Sequence, residues 1–319
     1  MEYALSVVIP VYNEEENVQP LHNSIREALS DLDKPWEVVY IDDGSSDDSL
    51  SILESIAADN PETTIVIAFR RNFGQTAAVA AGIDFAHGEI IVLMDADMQN
   101  DPADIPLLLQ KIDDGYDVVS GWRRNRKDAF ISRTFPSRIA NWLISFVTGV
   151  HLHDYGCTLK AYKREVITDF RLYGEMHRFI PAYAHSVGAK ITEVPVTHHP
   201  RKYGKTKYGI NRTFKVILDL FTVKFLLSYA NKPIYLFGGV GVFMMAASVF
   251  MLGFLFIRKL LFQTPVVQSS FFLIGIMLMI LGVQSILMGL IAELLARTYH
   301  ESQHKPTYTI RRVINDRTS

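Results

Sequence analysis

The sequence predicts an α/β domain built on a mainly parallel sheet, followed by helices lying along a membrane surface and by two membrane-spanning helices. Two observations carry this prediction. Between Leu5 and about Val119, short runs rich in β-branched residues alternate with helical stretches, the pattern of βαβ units. Further on, residues 233–257 and 266–292 contain no Asp, Glu, Lys or Arg, and each exceeds the roughly 18 apolar residues that mark a membrane-span candidate.

The strands come first. LSVVIPVY, WEVVYID, TTIVIAF and EIIVLMD read as buried strands, with helices near 15–30, 47–58, 75–86 and 102–113. In such a sheet ligands bind beyond the carboxyl ends of the strands, where the strand order switches. Polar residues stand at those ends: Asn13 and Glu14 after the first strand, Asp42 and Asp43 after the second, Asn72 after the third, Asp95 and Asp97 after the fourth. Beyond Ser120 come a basic loop, an apolar helix, the segment DYGCTLKAYKREV and the strand KITEVPV.

Two helices carry apolar faces with flanking cations. Ile139, Trp142, Leu143, Phe146 and Val147 form one face, and Phe214, Ile217, Leu218, Phe221 and Phe225 the other, beside Lys215 and Lys224. Such faces suit a membrane surface, or packing on the sheet. The glycines of the first span, Gly238, Gly239 and Gly241, signify helix packing at most. Lys224 and Lys232 before that span, with Arg297, Lys305, Arg311 and Arg312 after the second, outnumber the two cations of the intervening link. The positive-inside rule then puts the large domain and both termini in the cytoplasm of a cell with this protein in its inner membrane. The expected divisions are a catalytic domain over 1–209, a juxtamembrane helix over 210–232, a two-helix hairpin over 233–296 and a cytoplasmic tail over 297–319.

Composition narrows the function classes. The net charge of −2 gives no footprint of a nucleic-acid partner. One cysteine, Cys157, excludes an intramolecular disulfide. Neither a G-x-G-x-x-G nor a G-x-x-x-x-G-K-[ST] motif is present, so neither a dinucleotide fold nor a phosphate-loop nucleotidase is indicated.

The acidic motifs are more telling. Asp95-Ala96-Asp97 at the end of an apolar strand puts two carboxylates on one side of the chain. Mg²⁺ or Mn²⁺ suits such a pair, because hard cations bridge carboxylates to substrate phosphates, and Gln99 offers a further oxygen. Asp43 is an acid at the mouth of the sheet, able to accept hydrogen bonds from a nucleoside, and Pro10, Tyr12 and Glu14 supply a ring and a second acid. Asp47 reads as a helix cap.

Taken together, VVIPVYNEEENV, IDDGSSDDS, RRNFGQTAA, LMDADMQNDPADIP, DYGCTLKAYKREV and HHPRKYGKTKYG, followed by two C-terminal spans, resemble the family 2 GT-A glycosyltransferases that act on polyisoprenyl phosphates. Within that group the chain looks like the bacterial GtrB-type bactoprenol glucosyltransferases and is similar to ArnC-type and dolichyl-phosphate mannose synthase enzymes. The resemblance implies inverting transfer of a sugar, with UDP-glucose the expected donor, to undecaprenyl or another polyprenyl phosphate. It implies that Pro10, Tyr12, Glu14 and Asp43 hold the nucleoside, and that Asp95, Asp97 and Gln99 hold metal and diphosphate. Gly121-Trp122-Arg123 resembles the family's Gly-x-Arg motif, so Arg123 should contact phosphate. Arg138, Arg201 and Lys207 are further candidates for the lipid phosphate or the donor diphosphate, the alternative for each being a solvated side chain or one bound to anionic headgroups. Asp154 should orient or deprotonate the acceptor, or else cap a turn. Expected partners are the nucleotide sugar, the lipid phosphate, the bilayer, a second copy of the chain, a flippase and a downstream glycosyltransferase, with no nucleic acid. Other donors (UDP-N-acetylglucosamine, GDP-mannose, a UDP-aminoarabinose derivative) are the alternatives. A processive polysaccharide synthase fits less well without a Gln-x-x-Arg-Trp motif, and a non-enzymatic sensor would be expected to lack the metal ligands.

Overall fold

The computed structural model describes residues 3–124, 141, 144–145, 148–168, 176–200, 234–263, 265, 269–302 and 308–315. The apolar faces expected of the surface helices, Ile139, Trp142, Leu143, Phe146 and Val147 on one and Phe214 to Phe225 on the other, and the phosphate candidates Arg138, Arg201 and Lys207, lie outside the described residues. The chain forms two compact units, one of residues 1–223 with 306–319 and the other of residues 224–305.

The first unit is organised by one sheet. Its strands are β1 (Leu5–Val11), β2 (Trp36–Asp42), β3 (Thr64–Phe69), β4 (Ile90–Leu93), β5 (Val118–Trp122), β6 (Lys160–Lys163), β7 (Ile191–Pro195) and β8 (Ile310–Ile314), in the order β7-β5-β6-β4-β1-β2-β3-β8. Pairings β1–β2, β1–β4, β2–β3 and β5–β7 are parallel, and β6 and β8 run antiparallel to their neighbours. Strands covered on both faces must be apolar on both faces. Val7, Val8, Ile9, Val38, Val39, Ile41, Val66 and Ile67 accordingly have no exposed surface. Helices α1 (Glu15–Ala28), α2 (Ser49–Asp59), α3 (Gln75–Phe85) and α4 (Ile105–Asp113) follow β1 to β4, the last after a 3-10 turn at Pro102–Asp104. On α1 the buried Asn17, Val18, Leu21, His22 and Ile25 lie one turn apart on a single face, as helical periodicity requires.

Three strands depart from the sequence reading. The strand β5 was not separated from the loop after α4, and β6 was hidden in DYGCTLKAYKREV. Residues 310–314, expected within a tail, form β8 against β3. The strand order reverses between β4 and β1, which puts the crevice beside the loops after β1 and β4.

The second unit is a pair of long helices, α7 (Ile234–Phe262) and α8 (Ser270–Ser302); α5 (Arg164–Ile167) and α6 (Ile180–Ser186) belong to the first unit. Phe237–Phe262 and Ser270–Ala292 are long and apolar enough to cross a membrane, with mean hydropathy 2.4 each, and only 17% and 11% of their most apolar stretches are buried. A core helix of a soluble protein would be buried instead. Gly241 and Gly282 let the backbones meet: a Cβ on Gly241 would come within 2.6 Å of the Gly282 carbonyl oxygen. Ser248 Oγ donates to Gly275 O at 2.6 Å and Ser285 Oγ to Phe237 O at 2.8 Å, the close packing by small residues usual between apolar helices.

Candidate active site

The ends of β1 and β2 are stitched together by their loops. Val11 and Asp42 are register partners, and Asp43 N–H donates to Val11 O at 2.8 Å. Asn13, at φ 52°, donates its N–H to Ser45 Oγ at 3.0 Å and accepts Ser46 N–H on Oδ1 at 2.8 Å. Glu14 N–H donates to Ser49 Oγ at 2.8 Å. Asp47 accepts from Glu15 N–H and Ser49 N–H at 3.2 and 3.1 Å; the N-cap position of α2 is held by Asp48, so Asp47 ties the turn to the β1–α1 loop and is not the expected cap. These bonds set Tyr12, 36% exposed, beside Asp43 at the mouth of the sheet. Pro10 and Glu14 are half-buried there, and Glu14 also accepts Asn17 Nδ2 at 2.7 Å.

Asp43 is 3% exposed. Its two carboxylate oxygens take the backbone N–H groups of Phe73 and Gly74, at 2.7 and 2.9 Å, from the β3–α3 connection. Burial pushes its pKa up and those two bonds pull part of the way back, the opposed effects of desolvation and of hydrogen bonding to the charged form. The connection passes so close that a Cβ on Gly44, at φ +68°, would lie 2.5 Å from Arg71 C.

Asp95 and Asp97 do not lie in a strand. The strand β4 ends at Leu93 and the triplet sits in the bend that follows, so the alternation argument does not apply to it; Met98 at φ 59° marks the turn. Asp95 Oδ1 accepts from Gln75 Nε2 at 2.7 Å and Oδ2 from Thr158 Oγ1 at 2.8 Å. Asn100 Nδ2 donates to that same Thr158 oxygen at 2.9 Å, which commits the hydroxyl hydrogen to Asp95. Asp97 is 6% exposed and accepts Gln99 N–H at 3.1 Å.

Arg123 follows β5 and is met by Asp154 from the loop before β6. Nε donates to Oδ2 at 2.6 Å and Nη2 to Oδ1 at 2.9 Å, a bidentate charge-assisted pair. Burial alone would lower the guanidinium pKa, but the bonds and charge of Asp154, with smaller contributions from Cys157 and Asp95, leave it raised. Gly156 N–H also bonds Asp154 Oδ1 at 3.1 Å, so Asp154 caps its turn while holding Arg123. Lys160 is buried beneath the same loop, donating to the carbonyls of Tyr155 and Cys157, and burial lowers its pKa.

The donor set at Asp95 and Asp97 fits a hard divalent cation. The carboxylates of Asp95 and Asp97 are hard oxygen ligands, the Asp95 group is oriented by Gln75 and Thr158, and Gln99 stands two residues beyond Asp97. Among the described residues no group of three or more His, Cys, Asp or Glu side chains is arranged to hold a metal alone. Phosphate oxygens and water would complete the shell, as is usual for Mg²⁺ bound with nucleotides.

Gln75, Thr158, Asn100 and the amides of Phe73 and Gly74 are the residues that sequence reasoning left without a role. Their only signal was membership of RRNFGQTAA, LMDADMQNDPADIP and DYGCTLKAYKREV, segments that carry the resemblance.

Residues 6–171 match the model of the family described as "Glycosyl transferase family 2". The chain is 41% identical over 315 residues to the dodecaprenyl-phosphate galacturonate synthase of Rhizobium johnstonii, covering 98% of this chain and 93% of that protein. It is 35% identical over 311 residues to the undecaprenyl-phosphate 4-deoxy-4-formamido-L-arabinose transferase of Proteus mirabilis, covering 97% and 94%. Among solved structures it is similar to glucosyl-3-phosphoglycerate synthase from Mycobacterium tuberculosis in complex with uridine diphosphate, at TM-score 0.52 and 19% identity over 70% of this chain and 80% of that one. At that identity the likeness concerns the fold.

Proposed function

The chain belongs to glycosyl transferase family 2, and on that premise we propose that its site moves a sugar from a nucleotide diphosphate onto a polyprenyl phosphate at a membrane face. The single observation that carries this reading is the grouping at the sheet's switch point: Asp43 with Tyr12, Asp95 with Asp97, and Arg123 held by Asp154.

In this reading Tyr12 and Asp43, with Pro10 and Glu14, take the nucleoside. Asp95 and Asp97, with Gln99, hold a divalent cation, which would neutralise charge on the departing diphosphate. Gln75 and Thr158 fix the carboxylate of Asp95, so its orientation is set before substrate arrives. Arg123 spends Nε and Nη2 on Asp154, and its remaining N–H groups are the donors assigned to phosphate oxygen. The acceptor phosphate is already an anion at neutral pH. Positioning therefore matters more than proton removal, and Asp154, with both oxygens engaged by Arg123, serves as a positioning carboxylate. Direct attack of the lipid phosphate oxygen on the anomeric carbon inverts that centre. The apolar pair α7 and α8 anchors the chain in the bilayer that carries the acceptor, with both chain ends on the cytoplasmic side.

For the sugar, the glucose expected from the sequence gives way in our proposal to galacturonate, because the 41% identical relative aligns over nearly the whole chain. The test is transfer of labelled sugar to undecaprenyl phosphate in detergent, from UDP-galacturonate, UDP-glucose, UDP-N-acetylglucosamine, GDP-mannose and UDP-4-deoxy-4-formamido-L-arabinose. Lipid-phase label from UDP-galacturonate alone is the expected result. Label from another donor replaces the sugar and keeps the reaction; no label from any donor removes the reading.

A further inference from the structure

The β3–α3 connection, Arg70 to Gly74, touches the donor carboxylates on one side and a piece of chain that follows the second apolar helix on the other. Tyr308, 9% exposed, stacks on Phe69 with ring centroids 5.2 Å apart and an interplanar angle of 14°. Its hydroxyl donates to Asp84 Oδ2 at 2.7 Å. Phe69 ends β3 and Asp84 is the penultimate residue of α3, so one side chain fastens both elements between which the connection is strung. Arg70 N–H donates to Thr309 O at 3.1 Å, where the β3–β8 register shifts between Ala68 and Phe69.

From Tyr308 the contacts run inward. The ring of Phe73 meets Phe69 edge-on at 5.6 Å and 86°, and the Arg71 guanidinium covers Phe73 at 4.1 Å. Phe73 and Gly74 supply the N–H groups that fix Asp43, and the next residue, Gln75, fixes Asp95. Tyr308, Phe69 and Phe73 are thus a continuous aromatic file ending at the backbone donors of the nucleotide site.

We propose that Tyr308 and Thr309, just ahead of β8, are a positioning element of the donor site: Tyr308 sets the Arg70–Gly74 connection and, through it, the carboxylates of Asp43 and Asp95. The inference rests on the donor-site reading above. It makes Tyr308 and Thr309 part of the nucleotide-binding apparatus and leaves the far end of β8 outside it. The far end of β8 provides an internal control. Asn315 Nδ2 donates to Ala57 O and Thr64 O at 2.9 and 3.0 Å, near the start of β3 and away from the aromatic file.

The experiment measures binding of UDP with Mn²⁺ to the detergent-solubilised full chain, its Tyr308→Ala, Tyr308→Phe and Asn315→Ala variants, below each variant's unfolding midpoint. Michaelis constants for nucleotide sugar and lipid phosphate accompany it. Losing an aromatic contact of this kind corresponds to about tenfold in an equilibrium constant. Tyr308→Ala is expected to weaken UDP binding about tenfold and to raise the donor KM alike, leaving the lipid KM within about twofold. Tyr308→Phe, which keeps the stack and loses the Asp84 bond, should fall between. Asn315→Ala should lower the unfolding midpoint and leave UDP binding unchanged. Equal UDP binding by the unsubstituted chain and Tyr308→Ala overturns the inference alone, as does an equal loss in Asn315→Ala. Absence of UDP binding by the unsubstituted chain overturns the donor-site reading and the inference with it.

Discussion

Removing the Asp154 carboxylate separates two roles that its position allows, proton acceptor and holder of Arg123. The two bonds, 2.6 and 2.9 Å long, join side chains that are 4% exposed on Asp154 and 13% on Arg123. Taking one partner from a buried pair leaves an uncompensated charge, at a cost of about 3 to 5 kcal/mol. For a domain of this size each kcal/mol moves the unfolding midpoint by about 2 to 4 °C. Asp154→Ala and Arg123→Ala should each lower it by roughly 6 to 20 °C. The double variant, with no stranded charge, should lose clearly less than the two losses added. For activity, an independent general base contributes about 10² to 10⁴ in rate. A carboxylate that works through Arg123 contributes nothing once Arg123 is gone. Initial rates of lipid-phase product at saturating donor should therefore be the same for Arg123→Ala and for the double variant. The reasoning is refuted if Asp154→Ala slows Arg123→Ala by a further factor of about 10², or if the two losses of stability simply add.

Two other predictions concern the frame of the site. Gly44→Ala, forced into a left-handed conformation with its Cβ 2.5 Å from Arg71 C, should cost about 1 to 3 kcal/mol and raise the donor KM by displacing the Arg71–Asn72 backbone; denaturant titration and steady-state kinetics check it. His22 is 1% exposed, its Nδ1 lies 3.1 Å from Tyr40 OH, and burial, with the Arg26 charge adding, lowers its pKa to about 4. Folded His22 stays neutral while the unfolded chain takes up a proton near pH 6.5, so its contribution is complete above pH 6.5 and is lost as pH falls towards 4. The loss amounts to about 3 kcal/mol, and His22→Gln should remove that part of the acid sensitivity in unfolding scans between pH 7 and 4.5.

The first four strands were legible because each is a run of β-branched residues buried on both faces, a demand that leaves a mark in composition. The strand β6 left none. Its sequence KAYK carries two lysines, one buried only because the carbonyls of Tyr155 and Cys157 receive its ammonium. The strand β8, IRRVI, is an edge strand with two exposed arginines, Arg312 paired with Glu54 of α2; its role depends on β3, some 240 residues earlier along the chain. The carboxylates of the site were legible one by one at strand ends. Their partners were not: Arg123 meets Asp154 across 31 positions and Thr158 meets Asp95 across 63, distances over which no local periodicity or cap signal operates. For Asp95 and Asp97 the strand alternation rule fails because the strand ends two residues before the triplet.

The central claim is that Asp95 and Asp97 serve metal-dependent transfer of sugar to a lipid phosphate. Its most direct test compares the purified chain with Asp97→Ala, each incubated with labelled nucleotide sugar and undecaprenyl phosphate, with Mn²⁺ or with EDTA. Lipid-phase label is expected only from the unsubstituted chain with metal, while Asp97→Ala retains the unfolding midpoint of a folded protein. Near-normal label from folded Asp97→Ala, or label that persists in EDTA, would contradict it.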